Sequence, residues 1–571
     1  MQIQSLTSTF TNANNFMTLT IKVPNEEERK MAVHWIFDMD RSGSMSTRGL
    51  KDQRTRLQHV QHTLINMLEY LKGHSKSTGS LHKVTLIWFD HETNKEECPT
   101  LTFEIMADTD LTQWIGMISK VEPGGSTNIG AAISAAEIVI PQAVMDKTVL
   151  VFMSDGEPTT GICNHEQLYK LTEKMVNRLE VAKPCQMSSI FIGYGASQGG
   201  LMEKLANVQN GEYHCIESEE GAGVVYGEIA HNILKEQRKN THIMVENGEI
   251  YNFKTNTWET TLNIGTMATG VERVFHLTSN NPTQLKVTLD YEDYKTDQNL
   301  WQHEKDETSE IIVPDSGINE VVNIYNIRQS VLELLAEARA WKQENAYADV
   351  YHGIGAIAAP TTPPLTITRQ FACPTNVPPV VRQTDIALNM PGSIPSLPPL
   401  PAGITAPPTP STQPAIARPK NVRMTSAPAS SAFHEPEQPQ DNGYDALKLK
   451  LEAKLEYVKK HIRTLHEKND SNLTKGIAIL QMLTDDLFIT MESLTRPTGL
   501  TNIIARQTSQ GRQRAYNTAN ADDFSSQEHQ VSDSFTSPYA AAPQVACIRS
   551  MSQPANLPNI KNDSPLTSLT N

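Results

Sequence analysis

The sequence predicts an α/β protein with a doubly wound, mainly parallel, Rossmann-like sheet. A small all-β sandwich-like domain, helical segments and long disordered regions are expected to follow it. Three observations predict this. From about residue 30 to 237, short apolar runs alternate with amphipathic helical stretches, the pattern of βαβ crossovers. Between 285 and 291 a strict apolar–polar alternation replaces it, the mark of a half-buried strand. Between 355 and 440 Pro, Thr, Ala and Ser dominate, and too little apolar surface is on offer to offset the entropy of ordering.

Residues 1–29 have neither a basic stretch leading into an apolar core nor a clear place in a domain, so they are taken as an N-terminal extension. The first α/β unit spans 30–237. Its opening strand is AVHWIFD (32–38). Leu57, Val60, Leu64, Leu68 and Leu71 fall at helical spacings of three and four. KVTLIWF (83–89) and LTFEIM (101–106) form a plausible hairpin, and LTQWIGMI (111–118) and NIGAAISAAEIVI (128–140) are helical. TVLVFM (148–153) is a core strand. A helix over 167–182, the strand SSIFIGYG (188–195), a helix starting at GGLMEKLANV and the segment 223–236 complete the unit.

The all-β domain is placed at 240–314, with Asn247-Gly248 as a hairpin turn between short strands. Leu285, Val287, Leu289 and Tyr291 form its clearest apolar face. A helix at 317–346 carries Val321, Ile324, Val331, Leu335, Ala338 and Trp341 on one stripe. After the proline-rich linker 355–440, the stripes Leu447–Leu465 and Ile477–Leu494 predict a helical hairpin over 442–496, suited to packing on the 317–346 helix. The polar segment 497–571 is expected to be a mostly disordered tail.

Composition narrows the function classes. Of 571 residues only 38% are hydrophobic and 6% aromatic, and 33 are Pro, as expected of folded domains diluted by unfolded segments. A formal net charge of −15 argues against nucleic acid or an anionic membrane as the main partner. No run of about 18 apolar residues offers a membrane span. The six cysteines are scattered without a CxxC pair, which favours a reducing compartment; the expectation is a cytoplasmic protein, with a nuclear place left open.

The strongest chemistry lies directly after the first strand, in Asp40-Arg41-Ser42-Gly43-Ser44-Met45. Parallel α/β sheets place their ligand sites beyond the carboxyl ends of the strands. Asp40, Ser42 and Ser44 alternate with Arg41 and Gly43, so a tight loop turns three oxygens inward. Gly124-Gly125-Ser126-Thr127 precedes a helix and offers the Thr127 hydroxyl. Ser154-Asp155-Gly156 follows the core strand and offers the Asp155 carboxylate. Oxygen-only donors select hard cations such as Mg²⁺, Mn²⁺ or Ca²⁺. Five protein donors leave such an ion short of its shell, open to water or to an acidic side chain from outside.

DRSGSM, GGSTNIGAA and SDGEP together resemble the three parts of the metal-ion-dependent adhesion site of von Willebrand factor A domains, in the right order over roughly 30–237. The resemblance implies that Ser42, Ser44 and Thr127 act by hydroxyl and Asp40 and Asp155 often through water. It also implies that a partner protein's acidic side chain completes the shell. Asp38, two residues before Asp40, is a departure, because a strand interior is usually apolar. VENGEIYNFKTNTWETTLNIGTM and RQTSQGRQRAY resemble, less specifically, the region after the A domain in intracellular multidomain proteins of this kind. Some of those are RING-type ubiquitin ligases, but no cysteine cluster here supports a RING.

The competing class is an enzyme, or a subunit of one in a ubiquitin-related assembly. No phosphate loop, GxSxG elbow or HExxH pair is present. His214 and Cys215 are neighbours in a strand and so point to opposite faces. The expectation is therefore a cation-dependent adaptor or scaffold without catalytic residues.

Overall fold

The computed structural model describes residues 2–353 and 443–552. The exceptions are 12–13, 27–28, 49–53, 141–144, 183–186, 195–198, 209–210, 218–220, 296–299, 308–318, 518, 520, 528 and 533. The linker 355–440 and the last residues of the chain lie outside the described set.

Six strands form the central sheet: β3 (Val33–Asp40), β4 (His82–Phe89), β5 (Leu101–Ile105), β6 (Lys147–Ser154), β7 (Met187–Tyr194) and β8 (Glu212–Ile216). Their spatial order is β5-β4-β3-β6-β7-β8, parallel throughout except for the β4–β5 hairpin at one edge. The alternation in β3 explains the layering. Trp35, Phe37 and Met39 face one core, covered by α1 (Arg56–Thr78) and α6 (Ala222–Leu234). Ile36, Leu150 and Phe152 face the other, under α3 (Ile129–Val139), α4 (His165–Ala182) and α5 (Gly199–Ala206). The short α2 (Thr112–Ile118) follows β5.

The β domain is built from both sides of this unit. β1 (Gln2–Thr11) and β2 (Asn14–Lys22) pair with each other, and β2 pairs with β13 (Glu272–Thr278) in the sheet β1-β2-β13-β10-β11, where β10 is Glu249–Asn252 and β11 Thr257–Glu259. The second sheet is β12-β9-β14-β15, made of β9 (Glu236–Glu246), β12 (Thr261–Ala268), β14 (Lys286–Lys295) and β15 (Leu300–Glu307). Met17, Leu19 and Ile21 of β2 meet Ile243, Val245, Val287 and Leu289 in one apolar core. Two expectations are thus corrected. Residues 1–29 are not merely an extension, because 2–22 supply two strands, the second of which pairs with β13 some 250 residues later. Asn247-Gly248 does turn the chain, with Asn247 at φ +60, but it joins β9 of one sheet to β10 of the other and so makes a corner rather than a hairpin.

The helical body consists of α7 (Glu320–Gly353), α8 (Tyr444–Lys468) and α9 (Thr474–Ser493). Val331, Leu335, Leu451, Val458, Leu480 and Leu483 share one core, which also takes in Phe16 and Val274 from the five-stranded sheet. The expectation of a disordered tail from 497 is overturned as far as residue 552. α10 (Gly499–Arg512) buries Ile503, Ile504, Arg506 and Gln510, a short α11 (Ala521–Phe524) follows, and α12 (Ala542–Ser552) lies against α6. Gly227 permits that last contact, since a Cβ there would come within 2.6 Å of the Ile548 Cα. The tail is polar because its polar groups have buried partners elsewhere, a fact that composition alone conceals. No helix among the described residues is long and apolar enough to cross a membrane.

Candidate metal centre

Asp40 ends β3, Ser42 stands at the N-cap of the 3-10 turn Gly43–Ser46 and Ser44 lies within it, Thr127 lies just before α3 and Asp155 directly follows β6. The five residues picked out in the sequence therefore meet at the carboxyl end of the sheet. Asp40, Ser42, Thr127 and Asp155 are buried, while Ser44 is exposed at the rim. Met45 turns the other way into the core and anchors the loop.

Backbone bonds fasten the three pieces together. The Arg41 N–H donates to Phe89 O at 2.8 Å, Gly124 N–H to Arg41 O at 2.8 Å, Gly43 N–H to Gly125 O at 3.1 Å and Asn128 N–H to Asp90 O at 2.8 Å. Gly125 has φ +74, and a Cβ there would lie 2.6 Å from the His91 Nδ1, so glycine is required by both backbone and space. Asn128 caps α3, its Oδ1 accepting from the Ala131 N–H at 3.1 Å, which sets Thr127 at the helix entrance. Thr127 N–H in turn donates to the Thr159 Oγ1 at 2.9 Å.

The side chains are tied into one network. Asp40 Oδ1 accepts from the Ser42 N–H at 2.7 Å and Oδ2 from the Ser154 hydroxyl at 2.6 Å. Ser42 and Ser44 hydroxyls lie 3.0 Å apart, and Ser44 donates to Asp155 Oδ1 at 2.7 Å. Gly156 leaves space beside them: even a Cβ there would stand 3.7 Å from both the Ser44 Oγ and the Thr127 Oγ1. Burial, reinforced by the nearby Asp155 charge, pushes the Asp40 carboxyl up to about 6, against the opposing hydrogen bonds from Ser154 and Ser42.

Several participants escaped the sequence reading. Ser154 sits beside Asp155 in the same short motif and was within reach of inspection. Arg56 was not: its Nη1 lies 2.8 Å from Asp155 Oδ2, and only the start of α1, fixed by the reciprocal Thr55–Gln58 capping box, brings it there. Asp90 at the end of β4 holds Arg41 at 2.8 Å, with Lys95 at 2.9 Å from the same carboxylate, and so locks the loop from behind. Asp38 is fully buried, and among the described residues neither of its oxygens has a hydrogen-bond partner. Burial first and Asp40 second push its carboxyl well above the usual range.

The donor set fits a hard divalent cation. Three hydroxyls and two carboxylates converge, no nitrogen or sulfur donor joins them, and the exposed Ser44 and the small Gly156 leave one side open. Among the described residues no group of three or more His, Cys, Asp or Glu is placed to hold a metal. His214 and Cys215 do face apart. His214 Nδ1 lies 2.8 Å from the Tyr516 hydroxyl, while Cys215 packs into the opposite core.

Residues 35–157 match the von Willebrand factor type A domain, a span that contains all five candidate ligands. Solved structures similar to this chain include the von Willebrand factor type A protein from Catenulispora acidiphila, at 12% identity over 59% of this chain and 78% of that one, with a TM-score of 0.36. Another is the ArnB paralog VWA2 from Sulfolobus acidocaldarius, at 13% identity over 61% and 86%, TM-score 0.32. A third is the PilB minor pilin from Streptococcus sanguinis, at 12% identity over 40% and 78%, TM-score 0.30. No curated protein matches.

Proposed function

From the von Willebrand factor type A domain at residues 35–157, we propose that this chain is a divalent-cation-dependent adaptor that grips a protein partner, and not an enzyme. Asp40, Ser42, Ser44, Thr127 and Asp155 hold Mg²⁺, or Mn²⁺ or Ca²⁺ in its place, and an acidic side chain of the partner completes the shell. The observation that carries this reading is the meeting of those five oxygen donors at one open end of the sheet, with Ser44 at the rim. Domains of this type commonly mediate protein–protein interaction, which supports the same reading.

When bound, the cation supplies a concentrated positive charge that attracts a partner carboxylate. The protein's own groups prepare for it. Ser154 and the Ser42 N–H orient Asp40, and Ser44 orients Asp155. Arg56 balances the Asp155 charge until a cation does so.

The test is a pull-down with wild type and Asp40→Ala, in Mg²⁺ and in EDTA, beside thermal melts. Wild type in Mg²⁺ should capture partners that both EDTA and Asp40→Ala lose, while the variant melts within a few degrees of wild type. Identical capture in all four arms would remove the cation site from the interaction.

A further inference from the structure

A second site lies at the opposite, amino-terminal end of the sheet. There β10 and β13 part company after only two register pairs, Glu249 with Thr278 and Ile250 with Leu277. Beyond that point the β13 edge is taken instead by Gln513, whose amide donates to Val274 O at 2.9 Å and accepts from Val274 N–H at 2.9 Å. The gap opens into a cavity of about 740 Å³ bounded also by the start of β7, the start of β8 and the end of α10. That volume is in the usual range for small-molecule sites. Gly511 makes the wall close-fitting, since a Cβ there would come within 2.1 Å of the Phe253 ring.

The charge of this wall runs against the charge of the chain. The whole sequence carries −15, yet the cavity is lined by six Lys or Arg and only three Glu. Three of the cations are accounted for. Lys147 pairs with Glu236 at 2.6 Å and Lys239 with Glu292 at 3.0 Å, while Arg328 meets the Tyr539 hydroxyl and the His276 Nε2, each at 3.0 Å. Lys254, Arg273 and Arg512 remain. Arg512 donates to Gly211 O at 3.3 Å and reaches a carboxylate only at 4.0 Å, that of Glu212, which Arg514 engages more closely at 3.1 Å. Lys254 and Arg273 make no ion pair or side-chain hydrogen bond among the described residues. Arg512 is pushed down to about 10 by burial, with Arg514 and Arg273 adding to that against the pull of Glu212. A cluster of cations this short of anions is stabilised by a bound counter-charge.

We propose that this cavity binds a small phosphate-bearing molecule carrying at least two phosphate charges, held by Lys254, Arg273 and Arg512 with its organic part against Tyr251 and Phe253. Arginine forks suit phosphate oxygens bidentately, and the two aromatic side chains supply the apolar wall such sites usually have. A cleft of about 740 Å³ is of the size that takes a small molecule. The site shares no residue with the cation centre, so either stands without the other.

Calorimetric titration of inorganic pyrophosphate into the full chain tests this, in EDTA and at constant ionic strength. One site should appear in wild type and in Asp40→Ala alike, with pyrophosphate raising the melting temperature of both. Arg273→Gln and Lys254→Gln should each weaken binding by about tenfold or more, the loss of one charge-assisted phosphate contact. Lys254 lies on an exposed turn, so its variant folds even where Arg273→Gln does not. No heat with wild type, or unchanged binding in Lys254→Gln, would overturn the proposal. Citrate binding as tightly as pyrophosphate would overturn its assignment to phosphate.

Discussion

Asp38 and Asp40 sit two positions apart on one strand face and meet opposite fates. Asp40 has a backbone N–H and a serine hydroxyl on its two oxygens, and the open end of the sheet beside it. Asp38 has the same covalent chemistry and no hydrogen-bond partner among the described residues, with the apolar Ile36, Ile87 and Phe152 around its register position. An unsatisfied buried polar group costs about 1–3 kcal/mol. Asp38→Val should therefore raise the unfolding free energy in denaturant titration by about that amount and leave Mg²⁺ binding unchanged in calorimetry. Lower stability together with lost Mg²⁺ binding would instead make Asp38 a working part of the cation site.

α10 shows how an element polar in sequence becomes interior. Its Arg506 reaches Glu217 at 2.7 Å and Asp486 at 3.6 Å, all three about 3% exposed, and its Gln510 donates to Asp486 at 2.7 Å. Burial pushes the Asp486 carboxyl from 3.8 up to about 7, although Arg506 and Gln510 pull it down. The sign follows from linkage. The folded state binds this proton more tightly than the unfolded one, so stability contributed at low pH is lost as the pH rises from about 4 to about 7, then levels off. The slope in that window is at most about 1.4 kcal/mol per pH unit for one proton. Asp486→Asn should flatten the difference curve in denaturant titrations, gaining on wild type toward about pH 8 and converging with it near pH 4. Parallel curves for the two proteins would show that Asp486 stays ionised throughout.

The α/β unit is an insertion in the β domain, since β2 precedes it and its partner β13 follows it. The last described helix then returns to the inserted unit. Cys547, Ile548 and Met551 of α12 join the core beneath α1 and α6, Arg514 pairs with Glu228 at 2.9 Å, and Tyr516 meets His214. Ending the chain after Arg512 would strip all of this at once and leave Glu228 and His214 buried without those partners. Such a truncation should lower the melting temperature by about 10 °C or more, or abolish soluble folding, since several kcal/mol are at stake in a body of this size. An unchanged melt would show that the segment after 512 only decorates the surface.

Local chemistry made the centre of this protein legible. The apolar strand before Asp40, the Ser-Gly-Ser turn, the Thr127 helix entrance and Ser154-Asp155 each announce a short-range geometry. Parallel sheets bring such loops to one end, so the meeting of the five candidate residues was legible in the sequence. The stripes of α7, α8 and α9 were visible for the same reason, because helical periodicity records which face is buried. What stayed hidden depends on partners distant in sequence. β2 is completed by β13, Arg56 by Asp155, and the polar run from Arg506 to Arg514 by Glu212, Glu217 and Glu228. Composition counts a buried arginine as polar whether or not a carboxylate some 300 residues away neutralises it. Only the tertiary structure could decide that this segment belongs to the interior.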